Sequence, residues 1–173
     1  MDPEMQARLP RIGLLLAAAM ALGSCESPAV SQSNFETRYF AARGALEDGS
    51  YARASRAYSS LVPTSGPLAV RIKLELAHSE LRRGAFAEAA AIAGEVAQAT
   101  NGTSRSAALA VRGTALHELA VAQLSDGDAA AAKTSLQSAH AALDEQLKND
   151  PDLDPLGAMA GRRAMIAARL ARL

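Results

Sequence analysis

Three histidines and a single cysteine are the side chains of this 173-residue chain best suited to metal or nucleophilic chemistry. His117-Glu118 opens the HExxH spacing, which on a helix sets two imidazoles one turn apart around a zinc ion with the glutamate as base. Val121 stands where the second imidazole is needed, so the pair is broken. His78 and His140 supply no replacement at i, i+4 spacing. Gly-x-Ser-x-Gly, Ser-x-x-Lys and Gly-Lys are absent, which removes serine hydrolase, penicillin-binding and phosphate-loop signatures. The 18 carboxylates are scattered along polar faces, the usual place for solvated side chains. The reading is a non-enzyme with no cofactor and no metal. A groove with strongly perturbed carboxylates is what would mark an enzyme instead.

The elements that must position any site are helices. Alanine supplies roughly a quarter of the residues, aromatics only 3%, and Trp is absent. Alanine favours helix, whereas strands want branched or aromatic side chains. A net charge of zero removes the broad electrostatic case for nucleic acid as a partner. Along the chain, Ser33 and Glu36 have capping-box spacing and open a helix to about Glu47. Further helices are expected over 51–61, 68–83, 86–99, 105–124 and 128–147. Glycine and proline punctuate them at Gly49, Pro63, Gly66, Pro67, Gly84 and Gly127. Asn101-Gly102 is expected to close the fourth helix as a left-handed cap. Asp154-Pro155 reads as an N-cap followed by Pro at the first helical position, opening a seventh helix that runs to the end.

Gly49, Gly84 and Gly127 also align their neighbourhoods. Tyr51, Ala54 and Tyr58 follow the first glycine, Phe86, Ala89 and Ala93 the second, and Ala129, Ala132 and Leu136 the third. Ala41-Ala42, Leu76-Ala77 and Leu119-Ala120 precede them at a common distance. This pattern resembles the tetratricopeptide repeat (TPR), with a large-small pair in helix A, a turn glycine, and an aromatic, a small and a large residue in helix B. The glycine spacings are 35 and 43 residues, the second implying a longer helix A in the third repeat. The Trp of helix A is missing, and the proline that ends each repeat is displaced or absent. The resemblance implies an all-α, TPR-like solenoid over 33–148, of about three repeats, with 149–173 as a C-terminal capping helix. In that helix Leu156, Met159, Ile166, Leu170 and Leu173 form the apolar stripe.

In this family, helix A residues line a concave face that holds a segment of a partner. Carried over residue by residue, the candidate groove is Tyr39, Arg43, Arg71, Glu75, His78, Arg82 and His117, with Val121 beside it. No Asn falls there, so the carboxylate clamp of the chaperone-binding members is not matched. Charge is asymmetric as well: residues 38–83 hold eight basic and four acidic side chains, residues 118–154 two and eight, and residues 162–172 four arginines and no acid. Asymmetry of this kind steers partners.

The first residues read as an address. Arg8 and Arg11 precede an uncharged apolar run, Ile12 to Leu22, too short for the ~20 residues that span a bilayer. Met5 is as good a start as Met1. Leu22-Gly23-Ser24-Cys25 resembles the lipobox of bacterial lipoproteins. That resemblance implies a signal peptide over 1–24, palmitate-type acylation of Cys25 and membrane attachment through the N-terminal lipid. Residues 25–32 read as a flexible tether, and Glu26 in place of Asp favours the outer membrane, facing the periplasm. Lipid-anchored TPR proteins of this type serve pilus and secretion assembly, with outer-membrane barrel assembly and cell-wall enzyme docking as alternatives. The expected partner is another envelope protein. Labelled palmitate should enter the wild-type protein and not Cys25→Ala; equal labelling of the two refutes lipidation at this residue.

Overall fold

The computed structural model describes residues 28–173. Residues 1–27 lie outside it, and with them the leader, Cys25 and Glu26. The chain divides into two compact units between Asn34 and Phe35. The second is all-helical among the described residues. Helix α1 is Pro28–Glu47, α2 Tyr51–Leu61, α3 Ala69–Arg82, α4 Phe86–Ala99, α5 Gly102–Ser125, α6 Ala129–Asn149 and α7 Ala158–Leu170. Helix α1 is already formed at Pro28, so Ser33 is inside the helix rather than its cap. Proline suits a first turn, where its missing N–H has no partner to lose.

Three of the connections are the same turn. Gly49, Gly84 and Gly127 sit at φ of 76°, 86° and 82°, the left-handed region that favours glycine. In each, the residue after the glycine donates back to the third-last residue of the helix: Ser50 N to Ala45 O at 2.8 Å, Ala85 N to Glu80 O at 2.9 Å, Asp128 N to Gln123 O at 2.8 Å. The glycine N–H donates one turn tighter, to Leu46, Leu81 and Leu124. These paired bonds satisfy carbonyls that a helix end would leave unmade. They also fix how α1 meets α2, α3 meets α4 and α5 meets α6. Asp128 adds a side-chain cap, accepting from Ala131 N at 2.9 Å.

The other connections differ from expectation. Val62–Thr64 and Gly66–Leu68 form two short 3₁₀ turns between α2 and α3. Asn101-Gly102 does not close α4. That helix ends at an extended Thr100, and Gly102, at φ 57°, is the first residue of α5. The last carbonyls of α4 find side-chain donors instead: Thr100 Oγ1 bonds Val96 O at 2.7 Å, and Arg105 Nη1 reaches Ala97 O. A cation there also complements the negative end of the helix. Helix α7 opens at Ala158, after a turn in which Gly157 N donates to Asp154 O at 3.0 Å. Asp154 still caps it, each carboxylate oxygen taking one backbone N–H, from Met159 at 3.0 Å and Ala160 at 2.9 Å. Those bonds hold its carboxyl below the usual range.

The core is segmented in chain order. Ala42, Ala45, Ala54, Tyr58, Leu61, Ile72 and Leu76 join α1, α2 and α3. Ala89, Ala90 and Ala115 join α4 to α5, and Val96, Ala97, Ala108, Leu109 and Ala142 extend that contact to α6. Ala120, Ala132, Leu136, Ala139, Leu143 and Ile166 join α5, α6 and α7. Beyond these neighbours, α3 touches α5 and α5 touches α7. The aligned small residues Ala42, Ala77 and Ala120 before the turns, and Ala54, Ala89 and Ala132 after them, are all fully buried. At the next aligned position, Tyr58, Ala93 and Leu136 are buried too. The third hairpin is longer than the second, α5 having 24 residues against 14 for α3.

In the capping helix, Ile166 is fully buried and Met159 and Leu170 pack against the same cluster. Leu156 and Leu173 leave the expected stripe. Leu156 is 93% exposed in the turn before the helix, and Leu173 lies beyond its last turn.

Gly113 marks the tightest helix contact. A methyl group there would stand 2.6 Å from Leu143 Cγ and 3.3 Å from the Ala139 carbonyl oxygen. Replacing an interior helical glycine by alanine ordinarily stabilises by about 1 kcal/mol. Gly113→Ala should instead destabilise, by ~1–3 kcal/mol of overpacking. Gly161→Ala, where an added methyl meets nothing within 4 Å, should stabilise. Urea midpoints of the two variants check this; a raised midpoint for Gly113→Ala contradicts the α5–α6 packing.

Candidate partner-binding groove

Arg71, Glu75, His78 and Arg82 recur at helical spacing and form one stripe on α3. The adjoining stripe of that helix, Ile72, Leu76 and Ser79, is buried, whereas Arg71, His78 and Arg82 are exposed and Glu75 is half-buried. Helix α1 contributes Tyr39 and Arg43 to the same surface. Arg43 links the two helices: its Nε donates to Glu47 Oε1 at 2.7 Å, and its Nη1 stands 3.7 Å from Glu75 Oε1. The hydrogen bonds that Arg43 donates to Glu47 and then to Tyr39, with the charge of Glu75, reinforce its protonated form. Arg82 donates from Nη2 to the Tyr51 hydroxyl at 2.7 Å. The aromatic that follows the first turn glycine therefore holds a groove arginine. Its guanidinium carbon is 5.1 Å from the Tyr51 ring centroid, within cation–π range. Arg71 is exposed and makes no ion pair or hydrogen bond among the described residues.

Tyr58 lies beneath this surface, fully buried, with its ring 6.2 Å from that of Tyr39. Its hydroxyl has no hydrogen-bond partner among the described residues. Burial first, and then the charge of Glu75, push its ionisation up. Partial desolvation and the Arg82 charge keep His78 below the usual imidazole range, against the pull of Glu75. The groups at the middle of the surface are thus electrostatically linked. Five expected residues, Tyr39, Arg43, Glu75, His78 and Arg82, act on one another directly or through a shared neighbour, and Arg71 extends their stripe.

His117 does not join them. It is 9% exposed, and its Nδ1 lies 2.8 Å from Nη1 of Arg162 on α7. The same guanidinium nitrogen donates to Glu118 Oε1 at 2.6 Å. The expected groove therefore stops short of the third hairpin, because the C-terminal helix covers that position. Val121 is half-buried.

Several functional contacts are legible only in three dimensions. Glu80 is buried against the helix α2 side, accepting from Ser55 Oγ and from Arg83 Nε. The signal available in sequence was a carboxylate on the apolar stripe of α3, one turn after Leu76. Arg105 ties three helices together, reaching Ala97 O on α4 and Glu145 Oε1 on α6 at 2.7 Å. Among the described residues, no three His, Cys, Asp or Glu side chains are placed to hold a metal ion, and no helix is long and apolar enough to cross a membrane. Compared with protein-family models, curated proteins and solved structures, the chain gives no significant match to any of them.

Proposed function

We propose that the chain is a short TPR-like scaffold, lipid-anchored through Cys25 to the periplasmic side of the cell envelope, that binds a carboxylate-bearing segment of another envelope protein. The observation that carries the reading is the recurrence of one device: the same left-handed glycine turn three times, flanked each time by a buried alanine on the helix before and on the helix after. Units that repeat and bury only against their neighbours favour a solenoid, whose outward stripes run in rows. Contact between α3 and α5, and between α5 and α7, fits that arrangement.

The chemistry of the α1–α3 surface supports an acidic ligand. Arg43 is already engaged by Glu47 and Glu75, so it serves more to set the surface than to bind. Among the described residues Arg71 has no partner to surrender, and Arg82 is held by a neutral phenol rather than by a carboxylate. A ligand carboxylate at these two arginines would gain charge-assisted bonds without first breaking an ion pair. Pilus or secretion assembly is the preferred setting for such an adaptor, with barrel assembly and cell-wall enzyme docking as the alternatives.

Capture of partners from detergent-solubilised envelopes tests the surface. Arg71→Glu alone should weaken capture about tenfold or more, because it reverses a charge that a bound carboxylate would face. The triple change Arg43→Glu, Arg71→Glu and Arg82→Glu should abolish it while helical circular dichroism is retained, since exposed substitutions cost little stability. Capture at wild-type strength by the folded triple variant places the binding surface elsewhere.

A further inference from the structure

The contact between His117 and Arg162 assigns a proton to a particular atom. A guanidinium only donates hydrogen bonds. The His117 Nδ1 at 2.8 Å from Arg162 Nη1 must therefore be the acceptor, which requires a neutral ring with its proton on Nε2. Protonation of Nδ1 would set two cations against each other at that distance. The alternative partner is already in place: Glu118 Oε1 is 3.7 Å from the same nitrogen. Proton uptake would therefore exchange the partner of Nδ1, with Glu118 taking the imidazolium and Arg162 expelled.

Arg162 is one of the polar ties of α7 to the hairpin beneath it, alongside Arg163 to Asp144 Oδ1 at 2.6 Å and Thr114 Oγ1 to Met159 Sδ at 3.7 Å. The apolar tie is Ile166, fully buried among Ala120, Leu136 and Leu143. We propose that His117 and Arg162 form a proton-sensitive latch: a proton taken from solvent onto Nδ1 releases Arg162 and loosens α7, uncovering the apolar face of the last hairpin.

The electrostatics of the site agree with the geometry. Burial, then Arg162, and more weakly Arg169 of α7, hold His117 below the ordinary imidazole value of 6.5, while Glu118 on its own helix pulls the other way. Helices α3, α4 and α6 bring no charged side chain against the ring among the described residues. A histidine depressed in the closed state makes closure insensitive to pH above 6.5 and progressively weaker as pH falls below it. An open state with an ordinary imidazole would gain at most about tenfold in population one pH unit below that value. The Asp154 cap stays charged across this window, because its backbone hydrogen bonds hold the carboxyl below the usual carboxylate range.

Hydrogen exchange of α7 amides in the full chain at pH 7.5 and 5.5, corrected for intrinsic rates, tests the latch. Opening of α7 should rise up to about tenfold in the wild type. In His117→Gln, whose amide oxygen can still accept from Arg162 and does not titrate, the rise should vanish. His140→Gln, altering the half-buried histidine of α6, should behave as wild type. An equal rise in His117→Gln overturns the proposal. Should that variant fail to fold, nitrogen chemical shifts of His117 in the wild-type protein decide: a neutral Nε2–H ring that titrates below 6.5 supports the latch. A proton on Nδ1 at pH 7.5, or titration at or above 6.5, refutes it.

Discussion

Close approach of helices across alanine is the constraint on which the rest of this structure depends. A chain with so few aromatics and so much alanine cannot fill wide gaps between helices; it must remove the gaps. Buried methyl groups contribute little area each, so stability comes from tight packing over many contacts rather than from a few large side chains. That requires each helix to meet the next at a fixed angle and register. The three left-handed glycine turns provide this, because their paired backbone bonds leave the chain one direction in which to continue. Where the approach is closest, even alanine is too large, and Gly113 admits Leu143 into the backbone surface of α5.

Small contacts specify direction poorly, since one alanine surface resembles another. The polar pairs between helices supply what the methyl groups lack. Glu80 takes Ser55 from α2 and Arg83 from its own helix, Arg105 joins α4 and α6, and Arg162 joins α7 to α5. Partly buried ion pairs such as Arg105–Glu145 and Arg162–Glu118 add modest net stability, because desolvation offsets much of their attraction. Breaking one partner is nonetheless costly, so a shifted register that orphaned Glu80 or Arg105 would be disfavoured.

The helices and their turns were legible in sequence because each depends on local chemistry. Tyr51–Leu61 and Phe86–Ala99 lie where glycine punctuation and apolar spacing put them, and the aligned alanines are buried in all three hairpins. The misread boundaries are those set by distant side chains. Asn101-Gly102 looked like a cap for α4, but Arg105 and Thr100 do the capping and free Gly102 to begin α5. Asp154 was legible as a cap, but the helix it caps starts four residues later, because a carboxylate can reach across an intervening turn. The groove stripe on α3 follows from helical spacing alone. The burial of His117 does not, since it depends on where the last helix lies.

That last helix also changes how the charge pattern should be understood. In sequence, the acidic stretch from Glu118 to Asp154 and the four arginines that follow look like two opposed patches. In the fold, Arg162 and Arg163 are laid against Glu118 and Asp144, so part of each patch neutralises the other within the chain. Much of the opposition is thereby internal. Over residues 38–83 the neutralisation is incomplete: Arg43 and Lys73 are paired with Glu47, Glu75 and Glu95, but Arg71 makes no ion pair or hydrogen bond among the described residues and Arg82 donates to a phenol. A field that survives folding is the one that would steer the proposed partner, and Arg71 and Arg82 of α3 are its source on that surface. Helix α7, by engaging Glu118 and Asp144, removes charges that a reading of the sequence alone would count as available.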